Sequence, residues 1–369
     1  MSASAYPKPF AYYQSPLFEG RRAELHAPDA DLSRISLSGG DEAQRARILQ
    51  QLQLTKFRRL GRLRGEYAVL AGGLLALDRD GAPIKLNCDA DDDWAHSSVF
   101  SQLENQCAAP DFEIIRQHVV NNWDALPSIG ETQFLAEPYS VKNYYHFSMV
   151  FLPKLRHVAE GAAVAIPQNY LNYPFQRELI GMTFGDRDIL PTPEIFRVTD
   201  PVLRYEPFSN ENVRWLREKV QKRARRGERR IYVARRSTMV GRSHGSILED
   251  ADFMHFLERY GFETIDFGSG EIPVSQQIEM LSGARVVLSA HGANLTNIAY
   301  AEEGVSVIEV LPFYWAYFSH MHIAAAAGLN YFGLLATEID AERRLKPDMA
   351  LLSRSLEAAL DANAGARAA

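Results

Sequence analysis

The chain has 369 residues, of which 46% are hydrophobic and 23% are charged, which excludes a disordered or fibrous protein and leaves room for two domains. A formal net charge of -6 argues against a dedicated nucleic-acid binder, because such domains are normally basic. Cys88 and Cys107 are too few for a disulfide framework and indicate a reducing compartment. The sequence shows no leader peptide and no apolar run of the ~18 residues that span a bilayer, so we expect a cytoplasmic protein.

The first half of the chain has an irregular pattern. Helical periodicity covers residues 143–158 and includes Pro153, and a β-rich run follows at residues 164–167. We expect an N-terminal α/β domain over residues 1–200. Basic residues cluster over residues 45–64 and again over 217–230, where they predict exposed helix faces that are either solvated or in peripheral contact with anionic lipid at the inner face of the membrane.

The second half alternates regularly between helices and strands. Predicted helices cover residues 209–226, 247–260, 275–281 and 314–327, and predicted strands cover 230–234, 262–267, 285–289, 305–310 and 331–335. This alternation predicts a parallel, doubly wound sheet in a Rossmann-like domain over residues 201–345. Residues 346–369 form a C-terminal helix or tail whose Ala-rich end, after Leu356, is expected to fray.

The stretch Ser289-Ala-His-Gly-Ala-Asn-Leu-Thr-Asn297 follows one of these buried strands. Open α/β sheets bind ligands at the carboxyl ends of their strands. Gly292 and Ala293 allow close approach to the backbone, and the free N–H groups of a helix starting near Asn294 favour an anion such as phosphate. His291 is then a hydrogen-bond donor to the phosphate, and Thr296 and Asn297 are caps or further donors. The alternative is an ordinary strand-to-helix turn.

Three arginines follow the neighbouring strand at residues 230–234. Arg235, Arg236 and Arg242 can face the same crevice as His291, because carboxyl ends of parallel strands converge at one edge. Their planar guanidinium groups suit a diphosphate, although such arginines are also common as a solvated patch. Glu309, near the end of the next strand, either accepts from ribose or sugar hydroxyls or forms an ion pair with one of these arginines.

The helical stretch at residues 143–158 begins with Asn143-Tyr-Tyr-His146. Tyr145, His146, Met149 and Leu152 fall at helical spacing, so most of this stripe is predicted to be core. His146 is nevertheless a candidate general base.

Two further motifs are weaker. Residues 241–245 fit the G-x-S-x-G pattern of a hydrolase, with Ser243 as nucleophile and with Asp266 and His291 in the right chain order, but the serine does not directly follow a strand. Asp89-Ala-Asp91 resembles a metal-binding D-x-D, yet an acidic loop of this kind is usually solvated.

An ordered series of motifs over roughly residues 135–312 resembles glycosyltransferase family 61, the capsular polysaccharide biosynthesis type. The series is Asn143-Tyr-Tyr-His146 with Leu152-Pro153, Ile231-Tyr-Val-Ala-Arg-Arg236, Gly261-Phe-Glu263, Ser275-Gln-Gln277, His291-Gly-Ala-Asn-Leu-Thr-Asn297 and Val307-Ile-Glu309. Two positions depart from the family pattern. Asn294 replaces a glycine, and Val150 stands where the family commonly has an acidic residue four positions after the histidine of Asn-Tyr-Tyr-His.

The resemblance implies a GT-B-like fold of two Rossmann-like α/β domains whose parallel sheets face an interdomain cleft. It implies an inverting transferase of bacterial type that moves a sugar from a nucleoside diphosphate sugar, for which we expect UDP, to a surface-glycan or lipid-linked acceptor. In this scheme no cofactor or metal is required. The donor is bound by residues 235, 236, 242, 291–294, 296, 297 and 309. Asn143 and Tyr145 lie on the acceptor side, with His146 as the base in place of the absent acid. The alternatives are a serine hydrolase using Ser243 and a nucleotide-sugar-binding homologue without catalysis.

Overall fold

The computed structural model describes residues 10–11, 18–25, 32–52, 56–70, 75–85, 109–131, 133–134, 143–158, 163–185, 188–205, 209–220, 227–235, 246–267, 272–312, 319–338 and 343–368. The strands are β1 (Phe10–Ala11), β2 (Phe18–Leu25), β3 (Ile35–Ser38), β4 (Lys56–Leu63), β5 (Glu66–Leu70), β6 (Leu75–Leu77), β7 (Pro83–Lys85), β8 (Ser128–Glu131), β9 (Gln133–Phe134), β10 (Val164–Pro167), β11 (Ile189–Thr192), β12 (Phe196–Thr199), β13 (Val202–Tyr205), β14 (Arg229–Ala234), β15 (Phe262–Asp266), β16 (Ala284–Ala290), β17 (Ser306–Pro312), β18 (Asn330–Glu338) and β19 (Leu345–Lys346).

The longer α-helices are α1 (Glu42–Leu52), α2 (Ala109–Asn121), α3 (Pro174–Phe184), α4 (Asn210–Val220), α5 (Ala251–Arg259), α6 (Val274–Ser282), α7 (Ser319–Ala327) and α8 (Met349–Ala368). Short 3-10 helices cover Leu32–Arg34, Trp123–Ala125 and Gln168–Leu171, and a longer one covers Ala293–Tyr300.

The chain forms two compact units. The first comprises Met1–Leu25 and Phe57–Pro207, and the second comprises His26–Lys56 and Phe208–Ala369. The sequence pattern placed all of residues 1–200 in one domain, whereas β3 and α1 belong to the second unit. A β-rich run in the sequence does not specify which sheet it joins, so the pattern could not reveal this excursion.

The second unit is built on a parallel sheet with the strand order β15-β14-β16-β17-β18 and with β3 added in parallel beyond β18. In chain order the five C-terminal strands read 2-1-3-4-5, one of the common doubly wound arrangements. The short β19 pairs antiparallel with β18. The predicted parallel α/β sheet is confirmed here, because each predicted strand of this half lies within about two residues of an observed one.

One face of this sheet packs against α5 and α8. Their buried residues form one apolar cluster with every second residue of the central strands, among them Leu288, Ile308 and Val310. The Ala-rich C-terminal segment does not fray as predicted, because α8 continues to Ala368. Leu352 and Leu356, one turn apart, anchor it in the cluster, and alanine is the best helix former.

The first unit has a mixed main sheet with the order β1-β7-β6-β5-β12-β8. The pairs β5–β6, β6–β7 and β5–β12 are antiparallel, so the predicted Rossmann-like parallel sheet is wrong for this sheet. The connections between β5, β6 and β7 are too short for the crossover that a parallel pair needs. A smaller sheet, β11-β10-β9, is parallel, and its strand β10 has the predicted bounds.

The predicted helix at residues 143–158 is present but changes its winding. Tyr144–His146 is α-helical, Phe147–Phe151 is a π-helix and Leu152–His157 is a 3-10 helix. The change to 3-10 winding coincides with Pro153, which cannot donate to an α-helical hydrogen bond. Met149 and Leu152 are fully buried, which confirms the prediction that this stripe is largely core.

The two basic runs are not continuous helix faces. Residues 45–64 span the end of α1 and all of β4, and residues 217–230 span the end of α4 and the start of β14. Several of these arginines have internal partners. Arg45 donates to the carbonyls of Gly39 and Gly40, and Arg217 donates to those of Ala299 and Ala301.

Candidate functional site

The candidate site lies where the strand order of the parallel sheet reverses. The chain leaves β14 to form β15 on one side and then returns to form β16 on the other side of β14. At such a switch point the two connections leave in opposite directions and open a crevice outside the carboxyl ends of the two strands. Arg235 directly follows β14, and His291 directly follows β16.

The turn after β16 brings backbone donors to this crevice. The N–H of His291 continues the sheet by donating to the carbonyl of Val310 at 2.9 Å. Gly292 then caps the 3-10 helix Ala293–Tyr300, in which the first closing hydrogen bond runs from Leu295 N–H to the Gly292 carbonyl at 2.9 Å. The N–H groups of Ala293 and Asn294 precede that bond and have no acceptor inside the helix, so they can bind an anion.

Arg235 lies directly over this turn. Its Nη1 donates to the carbonyl oxygen of His291 at 2.8 Å. A Cβ atom on Gly292 would be 2.8 Å from the same Nη1 and 2.9 Å from Cζ, so the guanidinium occupies space that only glycine leaves open. The structure therefore brings Arg235, His291 and the start of the 3-10 helix together, as the convergence of strand ends predicts.

Glu309 has other partners than those predicted. Its side chain is fully buried, its Oε1 accepts from Nδ1 of His291 at 2.6 Å and from Nδ1 of His320 at 2.7 Å, and its Oε2 accepts from the hydroxyl of Tyr331 at 2.5 Å. Both oxygens are thus occupied inside the protein. Within the described part of the chain its partners are therefore two histidines and a tyrosine rather than Arg235, and full burial keeps the carboxylate away from a sugar hydroxyl.

The sheet register explains this assembly. Glu309 on β17 pairs with Ser289 on β16 and with Gly333 on β18. Tyr331, two residues before Gly333, projects to the same face as Glu309. A Cβ on Gly333 would be 2.5 Å from Cδ2 of Leu37 and 3.1 Å from the Tyr331 ring, so the glycine makes room for both side chains. His320 comes from α7, which connects β17 to β18.

Electrostatics in this cluster keep the carboxylate charged. Burial by itself raises the pKa of Glu309, but the two imidazoles beside it outweigh burial and hold that pKa well below its ordinary range. Burial lowers the pKa of His291, and His320 and Arg235 lower it further, against the opposing effect of Glu309. Burial and the charge of Glu309 raise the pKa of Tyr331. At neutral pH, His291 is therefore a neutral imidazole whose Nδ1 carries the proton donated to Glu309.

The same three residues are close enough to be considered as metal ligands. The ligand atoms of His291, Glu309 and His320 all lie within 4.8 Å of one another. However, the two imidazole nitrogens approach Oε1 at 2.6 and 2.7 Å, which is hydrogen-bond distance, whereas ligands of a tetrahedral zinc ion are ~3.3 Å apart. The cluster is built as a hydrogen-bond network, and the absence of a metal requirement stays a prediction.

The rest of the turn is largely internal. Asn297 is buried and donates from Nδ2 to Oε1 of Gln277 on α6 at 2.9 Å, so it fixes the 3-10 helix to its neighbour. Thr296 is also buried, and its hydroxyl has no hydrogen-bond partner among the described residues. Ala293 and Asn294 are the partly exposed members of the turn.

The residues predicted to lie on the acceptor side belong to the first unit. Asn143 is the N-cap of the helical segment, where its side chain accepts from the N–H of His146 at 3.2 Å. Tyr145 and His146 are partly exposed, and their rings meet edge to face with centroids 5.3 Å apart. Val150, at the position of the family's acidic residue, is partly exposed as well.

Several predicted residues lie outside the described part of the chain. These are Arg236, Arg242, Ser243, Asp89 and Asp91. The hydrolase alternative pairs Ser243 with His291 and Asp266. The structure describes His291, and the carboxylate hydrogen-bonded to it is that of Glu309 rather than Asp266.

Sequence reasoning missed His320, Tyr331 and Gln277. His320 lies in an apolar helix beside a second histidine, and Tyr331 begins an apolar strand. Both look like core residues in the sequence, and only the packing of α7 and the register of β18 bring them to Glu309.

The fold of the second unit and its crevice define a doubly wound α/β protein with a basic, donor-rich turn at the switch point. The family model described as Glycosyltransferase 61 matches residues 144–308. This match supports membership of glycosyltransferase family 61 and confirms the resemblance seen in the sequence. No curated protein matches the chain. Among the described residues, none of the helices has the length and apolar character needed to cross a membrane.

Proposed function

We propose that the protein is an inverting glycosyltransferase that moves a sugar from a nucleoside diphosphate sugar, with UDP as the nucleotide, to a hydroxyl of a surface-glycan or lipid-linked acceptor. The proposal includes a GT-B-like division of labour, with the donor on the second unit and the acceptor on the first. It also includes a cytoplasmic location, at the inner face of the membrane when the acceptor is lipid-linked. The match to the family model over residues 144–308 supports a glycosyltransferase in general.

The observation that carries the donor site is the convergence of Arg235 and the His291 turn at the switch point. Arg235 supplies a permanent positive charge, and Ala293 and Asn294 supply N–H groups without an acceptor in the helix. A diphosphate combines negative charge with several acceptor oxygens and so matches both features. Arg236 and Arg242 are proposed to complete this site.

In the proposed reaction, the acceptor oxygen forms a bond to the anomeric carbon while the bond from that carbon to the diphosphate oxygen breaks. The electron pair of the broken bond stays on the departing diphosphate. Arg235 and the N–H groups of the turn stabilise that charge without rearranging, because they are held in place by the sheet. The anion also favours protonation of His291, whose Nε2 then donates to a phosphate oxygen.

The proton of the acceptor hydroxyl needs a base, and we propose His146. Its imidazole is partly exposed and held at the start of a helix that Asn143 caps. Val150 cannot take up a proton, so the usual acidic residue is replaced in this scheme. Tyr145, whose ring contacts His146, is proposed to orient it toward the acceptor.

The test is UDP binding and sugar transfer by Arg235→Ala and His291→Ala. We expect each change to reduce turnover by about 100-fold or more, because one preorganised donor to a developing anion is worth that much. Thermal shift with UDP should show a raised melting temperature for the wild type and a much smaller rise for Arg235→Ala, because only a ligand of the folded state stabilises it. Activity should survive a chelator.

Matched controls are available on the same elements. Arg229→Ala changes the other end of β14, where Arg229 pairs with Glu263 at the surface, and His255→Ala changes an exposed histidine on α5. Both controls should retain binding and turnover. Full activity in both site variants would refute the donor site, UDP binding without transfer would indicate the non-catalytic homologue, and loss of activity only in Ser243→Ala would indicate the hydrolase.

A further inference from the structure

We propose that His320 and Tyr331 are positioning residues for the transfer reaction, which act through Glu309 to hold His291 in a single tautomer and orientation. The inference rests on the proposed donor site and assigns a role to two residues that lie beyond the segment matched by the family model. It follows from the geometry of the buried Glu309 carboxylate, which accepts hydrogen bonds from three side chains that come from three different elements.

The first step is that the carboxylate cannot rotate freely. Two imidazole nitrogens converge on Oε1, and the Tyr331 hydroxyl occupies Oε2. Rotation of the carboxylate would break all three hydrogen bonds inside a core from which water is excluded, where an unsatisfied polar group is costly. His320 and Tyr331 therefore fix the plane of Glu309, and Glu309 in turn fixes the ring of His291.

The second step concerns the proton of His291. A charged acceptor 2.6 Å from Nδ1 keeps a hydrogen on that nitrogen, which leaves Nε2 on the opposite side of the ring as the atom that gains or loses a proton. Glu309 itself lies too deep to touch a ligand. The network thus fixes the tautomer and the ring orientation of His291 at the end of β16. A buried carboxylate orients the histidine of a catalytic triad in the same way.

The third step is that the network sets how readily His291 takes up a proton. The charged and titratable groups facing His291 are Glu309 on β17, His320 on α7 and Arg235 after β14, with Tyr331 on β18 acting through Glu309. The rings of His291 and His320 have centroids 5.0 Å apart. Removing His320 takes away a group that opposes protonation of His291, and removing the Tyr331 hydroxyl makes Glu309 a stronger acceptor. Both changes favour protonated His291.

The experiment measures the ring nitrogens of His291 by long-range ¹H–¹⁵N NMR across pH, in the full-length protein without ligand. The His291 signal is identified by its loss in His291→Gln. The wild type should show only the Nδ1–H tautomer. Tyr331→Phe and His320→Ala should raise the pH midpoint of the His291 titration and introduce the second tautomer. His320→Asn should restore the wild-type spectrum in part, because the asparagine amide takes the place of Nδ1.

The control is His322→Asn, since His322 is as buried as His320 on the same helix but does not bond to Glu309, whose described hydrogen bonds are those to His291, His320 and Tyr331. Tyr331→Phe conserves the ring volume. If His320→Ala fails to fold, the result for Tyr331→Phe therefore tests the proposal by itself. An Nε2–H tautomer in the wild type, an unchanged midpoint in Tyr331→Phe, or an equal shift in His322→Asn would overturn the proposal.

The activity readout separates this inference from the proposed function. In Tyr331→Phe, the pH dependence of turnover with the UDP-sugar should move in the same direction as the NMR midpoint. A protein with the intact network but no transfer contradicts the proposed function alone. A protein that transfers sugar with an unchanged pH profile in Tyr331→Phe contradicts the positioning role alone.

Discussion

The two units of this protein use their sheets differently. In the second unit the strands β15, β14, β16, β17 and β18 run parallel, so residues far apart in sequence emerge at the same edge. In the first unit the main sheet is built largely from antiparallel neighbours such as β5–β6 and β6–β7. Its carboxyl strand ends are divided between opposite edges, so they do not all gather side chains at one place.

The difference extends to how each unit holds a carboxylate. Glu309 is fully buried in the parallel sheet and binds three side chains, two of which come from later elements. Asp200 lies in the turn between β12 and β13, close to the surface, and binds Arg64 and the N–H of Gly65. The parallel sheet supports a deep polar network around Glu309, whereas Asp200 of the first unit is held at a turn near the surface.

The largest predicted effect comes from Glu309→Gln. The substitution removes the negative charge of the carboxylate that accepts from His291 and His320. It leaves an amide, whose oxygen can accept but whose nitrogen cannot. Losing a hydrogen bond to a charged group costs about 1.5–3 kcal/mol, and leaving a buried donor unsatisfied costs about 1–3 kcal/mol more. Urea denaturation should show this loss in the free energy of unfolding. A cost below about 1 kcal/mol would mean that the network does not exist in solution.

The contrast between the sheets also explains which parts of the fold the sequence could predict. The alternation of apolar strands and amphipathic helices after residue 209 is compatible with few sheet topologies. The predicted bounds of β16 and β17 lie within two residues of the observed ones. In the first unit, short strands with turn-rich connections leave the pairing open. The parallel assignment failed there, and the addition of β3 to the distant β18 had no local signal.

For the candidate site, the sequence predicted the strand ends but not the depth of the side chains. Arg235 and His291 were expected together because each follows a strand, and they are hydrogen-bonded. Glu309 was expected to face a ligand because it is near a strand end, but alternation along β17 turns it into the core. The position of its partner His320 depends on how α7 packs against the sheet, and short-range periodicity in the sequence does not encode that packing.

A second prediction sharpens the role of the parallel edge. Gly292→Ala should displace the Arg235 guanidinium, because the new Cβ would be 2.8 Å from Nη1, and it should also strain the turn, because Gly292 has a φ of 157°, which residues with a Cβ rarely adopt. We expect about 10- to 100-fold lower turnover with a UDP-sugar, since a misplaced charge stabilises the leaving group poorly. Kinetics and thermal shift with UDP would measure this.

The control for that substitution lies in the first unit. A Cβ on Gly181, in the exposed face of α3, meets nothing within 4 Å. Gly181→Ala should keep full turnover and raise the free energy of unfolding by about 0.5–1 kcal/mol, because alanine is the better helix former. If Gly292→Ala behaved like Gly181→Ala, Arg235 would have no role at the turn.

A third prediction concerns pH. Burial lowers the pKa of His291, so the folded state keeps it neutral, whereas the unfolded chain protonates it near pH ~6.5. The unfolded state then binds more protons, and stability falls as pH decreases below ~6.5. The lowered pKa of Glu309 acts in the same direction below pH ~4.3. Denaturation midpoints between pH 8 and 5 should decline less steeply in His291→Gln, but not in His255→Gln. Parallel curves for all three proteins would contradict a neutral, buried His291.

The smallest predicted effect is that of Asp200→Asn, the counterpart of Glu309→Gln in the first unit. Asp200 has a positive φ of 48°, which asparagine tolerates, and its Oδ1 accepts from the Gly65 N–H at 2.7 Å, which an amide oxygen can also do. The charged contacts of Oδ2 are lost, at 2.9 Å with the exposed Arg64 and at 3.9 Å with Arg62, and such a surface pair is worth less than about 1 kcal/mol. Because the Gly65 N–H and Arg64 hold the pKa of Asp200 below its ordinary value, the small loss should fade only as pH falls below the pKa of a free aspartate and through the lower pKa of the folded state. Urea denaturation at two salt concentrations would measure it, since salt screens a surface pair but not a buried one. A loss as large as that of Glu309→Gln would show that the two sheets do not differ in how they hold their carboxylates.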